Sequence, residues 1–193
     1  LLRDDGYRAK HTDQHNTLLI DGRGQLGEGK QWFQGSRALQ LKAAPRVINA
    51  RSTPQLDHIA GDATEAYPPE LGLRRYVRHL LFLKPNIVIV IDDIELEEEA
   101  QMELRFHPEQ KEARQEDGAF ITRGDRAALR IEPLTTADVD IAAEDMDAEG
   151  SHGAPWSMYT IRLRRKASTW RNAVGLSWCA KEEEPPDVDF SEQ

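Results

Sequence analysis

Cysteine is nearly absent: the 193 residues contain one, Cys179, which excludes an intrachain disulfide framework and a cysteine-built zinc site. No apolar run approaches the roughly 18 residues of a membrane-spanning helix, and almost nothing repeats at helical spacing over a dozen positions. Basic residues are outnumbered, 25 Lys and Arg against 34 Asp and Glu for a net charge of −9. That balance disfavours non-specific binding to nucleic acid or to an anionic membrane, while leaving open an anionic substrate held in a locally basic cleft. Also missing are a phosphate-cradling glycine loop, a Gly-x-Ser-x-Gly elbow and a dinucleotide fingerprint. The chain starts at Leu1 rather than Met, so it reads as a piece of a longer protein, and the lack of a signal peptide says nothing about that parent.

What is present is a succession of short apolar runs punctuated by turn residues, which predicts an all-β chain: an antiparallel β-sandwich, supersandwich-like, of many short strands. Asn16 to Ile20 reads as a strand closed by the turn Asp21-Gly22-Arg23-Gly24. Trp32-Phe33, Ala38–Leu41 and Arg46–Ala50 read as further short strands. Leu73–Leu83, the turn Lys84-Pro85-Asn86 and Ile87–Ile94 read as a hairpin whose second arm is a central strand, buried on both faces and ending at Asp92-Asp93. Ala100–His107, Ala119–Arg123, Ala127–Glu132, Tyr159–Arg164 and Ser168–Cys179 continue the pattern. Glu95–Glu99 is expected to be a solvated acidic turn and Asp138–Gly153 a mobile loop. The domain is placed at 1–180, with an acidic, disordered tail over 181–193.

Residues able to do chemistry crowd the start: Asp4, Asp5 and Tyr7, then His11 and His15, immediately before the first strong strand. Carboxylate and neutral imidazole together suit a divalent metal such as zinc, and a tyrosine beside a cation can carry a proton. The same residue types also serve as turn formers and surface groups. Elsewhere, Arg75 and Arg78 either pair with carboxylates or touch an anionic sugar. Gly61 and Asp62 are expected to shape a turn, and His79 and His107 to be structural histidines. Alternation puts Arg162 and Arg164 on one strand face, as a polyanion contact or a solvated edge. Trp170 and Trp178 share a face and are assigned to the core.

The string from His15 to Gln25, His-Asn-Thr, three aliphatics, Asp-Gly and Gly-Gln, resembles the start of the C-terminal β-sandwich of the heparinase II/III-like polysaccharide lyases. Gly61-Asp62-Ala63 with Tyr67, the run from Arg75 to Asp93, and Phe106-His107 resemble later segments of that family in the same order. The resemblance implies an N-terminal α/α-toroid in the parent chain, absent here, with the active site between the two parts. It implies a structural divalent metal, usually zinc, held by two histidines and an aspartate. Asp4 of Asp4-Asp5-Gly6 and His15 match two of these ligands, with Asp5 the alternative to Asp4; the other histidine falls upstream of Leu1. Tyr7 matches the family tyrosine after Asp-x-Gly, one residue closer than usual, as a proton carrier. The implied activity is β-elimination on a uronate-containing polysaccharide of heparin, heparan sulfate or alginate type, in a secreted or periplasmic parent; a cytoplasmic one stays open. The alternative is a non-catalytic carbohydrate-binding or structural module.

Overall fold

A computed structural model of the chain describes residues 2–3, 11–28, 45–109, 113–149 and 155–188. Asp4, Tyr7, Trp32-Phe33 and Ala38–Leu41 lie outside them. The strands are β1 (Leu18–Ile20), β2 (Arg46–Ser52), β3 (Leu56–Asp62), β4 (Leu73–Leu83), β5 (Ile87–Phe106), β6 (Arg114–Glu116), β7 (Ala119–Arg123), β8 (Ala127–Pro133), β9 (Asp140–Glu149) and β10 (Pro155–Ala180). Three-residue 3-10 turns cover Thr12–Gln14, Thr64–Ala66 and Pro69–Leu71. All the strand pairings are antiparallel.

The two longest strands, β5 with 20 residues and β10 with 26, each serve two layers. One layer runs β2-β3-β4-β5-β10-β8-β7-β6, using Ile87–Leu96 of β5 and Thr169–Ala180 of β10. The other uses Ala100–Phe106 and Pro155–Ala167 of the same strands, flanked by β1 and β9. Between the two halves the register breaks: two steps along β10, Ala167 to Thr169, match five along β5, Ala100 to Glu95. Such an irregularity bends the paired strands from one layer into the next. The inward residues of both layers meet in one core, in which Leu18, Ile20, Met102, Leu104, Phe106, Ile161 and Leu163 pack with Tyr76, Val90, Ile94, Trp170 and Val174. The chain is thus an all-β sandwich, as the turn-punctuated pattern predicts.

The hairpin β4–β5 forms through Lys84-Pro85-Asn86 as expected, and the Asp21-Gly22 turn forms with both residues at positive φ (49° and 73°), the conformation that favours Asp-Gly. Several boundaries differ from the sequence reading. Asp92-Asp93 does not end its strand and Glu95–Glu99 is not a turn, because β5 runs on to Phe106. Ile94 and Leu96 point into the core at 1% and 4% exposure while the glutamates between and after them face out, a strand alternation hidden by the density of charge. The expected loop over Asp138–Gly153 is largely β9, whose Ile141 and Ala143 pack on the core. Gly61 and Asp62 close β3, although the Asp62 carboxylate does shape the following turn by accepting from Thr64 N (3.0 Å) and Oγ1 (2.7 Å).

Residues 181–188, expected to be disordered, pack against the sheet instead. Ser177 Oγ donates to Pro186 O at 2.5 Å, Val188 N donates to Glu132 Oε2 at 3.1 Å, and Val188 is 8% exposed. A glycine makes this possible: a Cβ on Gly175 would lie 2.8 Å from Val188 Cγ2.

Candidate functional site

The His-Asn-Thr string lies between the Thr12–Gln14 turn and β1, held from four directions. His15 N donates to Thr12 O (3.1 Å), and Thr17 N to His15 O (2.9 Å). Asn16 is the junction: its Oδ1 accepts from His107 N (2.8 Å) and its Nδ2 donates to Arg3 O (2.8 Å), while Arg3 N donates to His107 O (2.7 Å). A Leu2–Pro108 bridge continues this contact. The segments before Asp4, after His15 and at the end of β5 are therefore fastened together through one asparagine.

Beneath the string, Arg78 on β4 donates Nε to Asp92 Oδ1 (2.7 Å) and Nη2 to Asp92 Oδ2 (3.0 Å), and its Nη1 donates to Asn16 O. Burial lowers the Arg78 pKa, but the charge of Asp92 and the hydrogen bonds to it outweigh this, so the guanidinium is held above its ordinary value. Beside it, Thr17 Oγ1 lies 3.5 Å from Tyr67 OH and 3.3 Å from Tyr76 OH, and Tyr67 OH donates to Leu18 O at 2.7 Å. Burial pushes Tyr67 up to about 12 and Tyr76 up as well. Both phenols stay protonated at any working pH and act as fixed dipoles.

On the outer side, His107 is wholly buried with Nδ1 2.9 Å from Thr160 Oγ1, and its Nε2 has no hydrogen-bond partner. Burial, joined by the charge of Arg105, lowers His107 to about 4, against main-chain contacts to Tyr159 and His15 that raise it. The imidazole is neutral near pH 7. Next to it, Glu103 joins Arg105 Nε (2.5 Å) and Arg164 Nε, and Arg105 Nη1 donates to Asp13 O (3.0 Å). Burial raises the Glu103 pKa, but these arginines bring it below the ordinary carboxylate value.

The structure separates the two arginines singled out by sequence. Their partners Asp92 and Asp93 are consecutive on β5 and so face opposite sides of the sheet. Arg75 pairs with Asp93 (2.8 Å) on the outer face at 46% side-chain exposure, where Arg171 also reaches Asp93 (3.6 Å). Arg78 faces inward and, with Thr17, Arg46, Ile59, Asp62 and Tyr76, lines a cavity of about 360 Å³. Arg162 and Arg164 are ion-paired to Glu144 and Glu103. Trp170 is buried and Trp178 packs on the core, as their spacing predicts.

Sequence reasoning missed the clamp itself. Arg78 and Asp92 are 14 residues apart on different strands, and only a correct hairpin register puts them side by side. That register was available from the Lys84-Pro85-Asn86 turn.

The family model for the heparinase II/III-like C-terminal domain matches residues 7–171. Among solved structures, the heparan sulfate lyase HepC from Pedobacter heparinus is 15% identical with a TM-score of 0.68, over 91% of this chain and 26% of that one. The heparinase III BT4657 gene product is 10% identical with a TM-score of 0.67, over 89% of this chain and 25% of that one. The chain thus spans about a quarter of the length of these proteins, whose likeness carries the fold. With six-sevenths of its residues inside the family match, the chain belongs to the heparinase II/III-like C-terminal domain family.

Proposed function

We propose that this chain is the C-terminal β-sandwich part of a polysaccharide lyase that cleaves a uronate-containing polymer of heparan sulfate or alginate type by β-elimination. The observation that carries this reading is the fastening of the His-Asn-Thr string. A short segment with His15 at its head is locked by Arg78, Asn16 and two buried tyrosines, more constraint than a surface turn needs. Elimination removes the proton at C5 beside the carboxylate and expels the C4 oxygen, so it requires a base, an acid and a group that neutralises the developing enolate. In this reading Tyr7 moves a proton and an N-terminal α/α-toroid of the same parent supplies most of the remaining cleft. Val47, Ile59 and Leu80, exposed at 69%, 45% and 40% around the cavity, offer apolar surface for such a neighbour.

Asp4 and His15 are the ligands proposed for a structural divalent cation, zinc by its taste for imidazole and carboxylate, with a further histidine upstream. What supports this pair is the match of Asp4-Asp5-Gly6 and His15-Asn16-Thr17 to the family motif; of the two, His15 lies among the described residues, where its main-chain N–H is fixed on Thr12 O. When bound, the metal supplies rigidity at the base of the cleft. Arg75, on the more open face, is the candidate for contact with an anionic sugar. Arg78 serves the site from within, by holding the Asn16 carbonyl. The parent is placed outside the cytoplasm, where such polymers occur.

The test is incubation of the full-length protein with heparan sulfate, alginate and related polymers, read by the ultraviolet absorbance of unsaturated uronate ends. Absorbance growing on at least one polymer is expected. Saturable binding without any such product would favour a carbohydrate-binding module.

A further inference from the structure

We propose that the outer face of the larger layer carries a second binding surface, a band of donors from Arg51, His79, Arg75 and Arg171 that holds a carboxylated or sulfated sugar chain on the side of the sheet opposite the His15 segment. The inference rests on the reading above for its anionic polymer. The band crosses five strands that lie side by side, β2, β3, β4, β5 and β10, a width of about 19 Å at the usual strand spacing. That is room for more than one sugar ring.

At the centre of the band, two histidines are arranged to offer a donor. Asn49 Nδ2 lies 3.5 Å from His58 Nδ1, and His58 Nε2 lies 3.1 Å from His79 Nδ1. An amide N–H can only donate, so His58 Nδ1 accepts and the His58 proton sits on Nε2, from where it is given to His79 Nδ1. The His79 proton is then left on Nε2. Among the described residues no acceptor meets that N–H, and it is not one of the buried atoms without a partner. Burial, and then the His58 charge, lower the His79 pKa, so near pH 7 the group presented is a neutral N–H donor.

Guanidiniums flank this donor on both sides. Arg75 and Arg171 share one carboxylate, Asp93, at 2.8 and 3.6 Å, from side chains 46% and 76% exposed. Across the histidines, Arg51 stands opposite His58 in the β2–β3 register, is exposed, and meets no carboxylate among the described residues. Glu95 lies opposite Arg75, and farther along β3 Asp62 is taken by Arg46 at 3.4 Å. Three guanidiniums thus stand over Asp93 and Glu95 in a chain whose net charge is −9. Leu81 and Ile91, next to His58 and His79 in register and half-buried, supply an apolar floor for the C–H faces of sugar rings. Charge that only guards a sheet edge would sit on β2, whereas this band reaches β5 and β10 in the middle of the sheet.

The experiment is affinity electrophoresis of the full-length protein in the cold, through gels containing heparan sulfate or alginate. The wild type is compared with Arg51→Ser/Arg171→Ser and with Arg126→Ser/Lys166→Ser, which removes the same charge from exposed positions outside the band. Retardation of the wild type is expected, with alginate assigning carboxylate and heparan sulfate alone assigning sulfate. The band variant should need about tenfold more polymer for the same retardation, and the control should behave as the wild type. A wild type that is not retarded, a band variant retarded like the wild type, or a control that loses as much as the band variant would overturn the inference. Unsaturated products from protein in any of these three cases would leave the lyase reading standing without the band. Retardation lost only in the band variant, from a protein that yields no such products, would keep the band and remove the lyase reading.

Discussion

Arg78 and Asp92 face each other across β4 and β5 and are joined at both prongs of the guanidinium, at 2.7 and 3.0 Å, with the aspartate wholly buried. The remaining Arg78 nitrogen holds the Asn16 carbonyl, so one ion pair links the hairpin to the segment that begins with His15. A buried pair need not stabilise a fold relative to an apolar replacement, but losing one partner strands the other.

Arg78→Ala should therefore lower stability by about 3–5 kcal/mol, as measured by urea unfolding. Arg78→Lys should recover less than half of this, because a point charge cannot reproduce the fork. If Arg78→Ala unfolds at the wild-type midpoint, the clamp is not structural.

Asn16→Ala removes one donor and one acceptor at the junction between Arg3 and His107. Two lost hydrogen bonds predict about 2 kcal/mol of destabilisation. Hydrogen exchange should show the amides of Arg3 and His107 losing protection more than those of the β4–β5 hairpin. Equal loss across the molecule would mean that Asn16 supports the fold as a whole.

Gly175→Ala should destabilise by about 1–3 kcal/mol through overpacking, since the added Cβ would fall within 3.0 Å of three Val188 atoms. The double variant Gly175→Ala with Val188→Gly should regain most of that loss. A Gly175→Ala protein of wild-type stability would show that residues 186–188 give way at little cost.

His58 Nε2 and His79 Nδ1 meet at 3.1 Å on the outer face of β3 and β4. Burial, and then the His58 charge, lower the His79 pKa. A histidine depressed in the folded state binds its proton more readily when unfolded. Stability should accordingly fall as pH drops from the unfolded value of about 6.5 through the lower folded value. His79→Asn should weaken that slope, measured as the unfolding midpoint at pH 7 and pH 5; an unchanged slope would assign it to other groups.

The fold was legible where apolar residues dominate. The β4–β5 hairpin and the Trp170–Trp178 face follow from alternation and turn chemistry alone. It was illegible where charge masks alternation, as in Glu95–Glu99, whose neighbours Ile94 and Leu96 are buried. The same holds for β9, whose acidic residues pair through their backbone with β10. The tail misled for a related reason: Glu182-Glu183-Glu184 suggests a solvated coil, whereas Arg123 takes the Lys181 and Glu183 carbonyls and the Glu184 carboxylate. At the site, the His-Asn-Thr string marked the right segment. The residues that hold it come from β4 and β5, out of reach of local pattern.

The chemistry is tested most directly by the mass of the products that the full-length protein releases from heparan sulfate and alginate. Elimination leaves each new non-reducing end one water lighter than hydrolysis would, and such products are predicted from at least one of the two polymers. Products with hydrolytic masses, or no cleavage of either polymer by folded, zinc-loaded protein, would contradict assignment of this chain to a polysaccharide lyase.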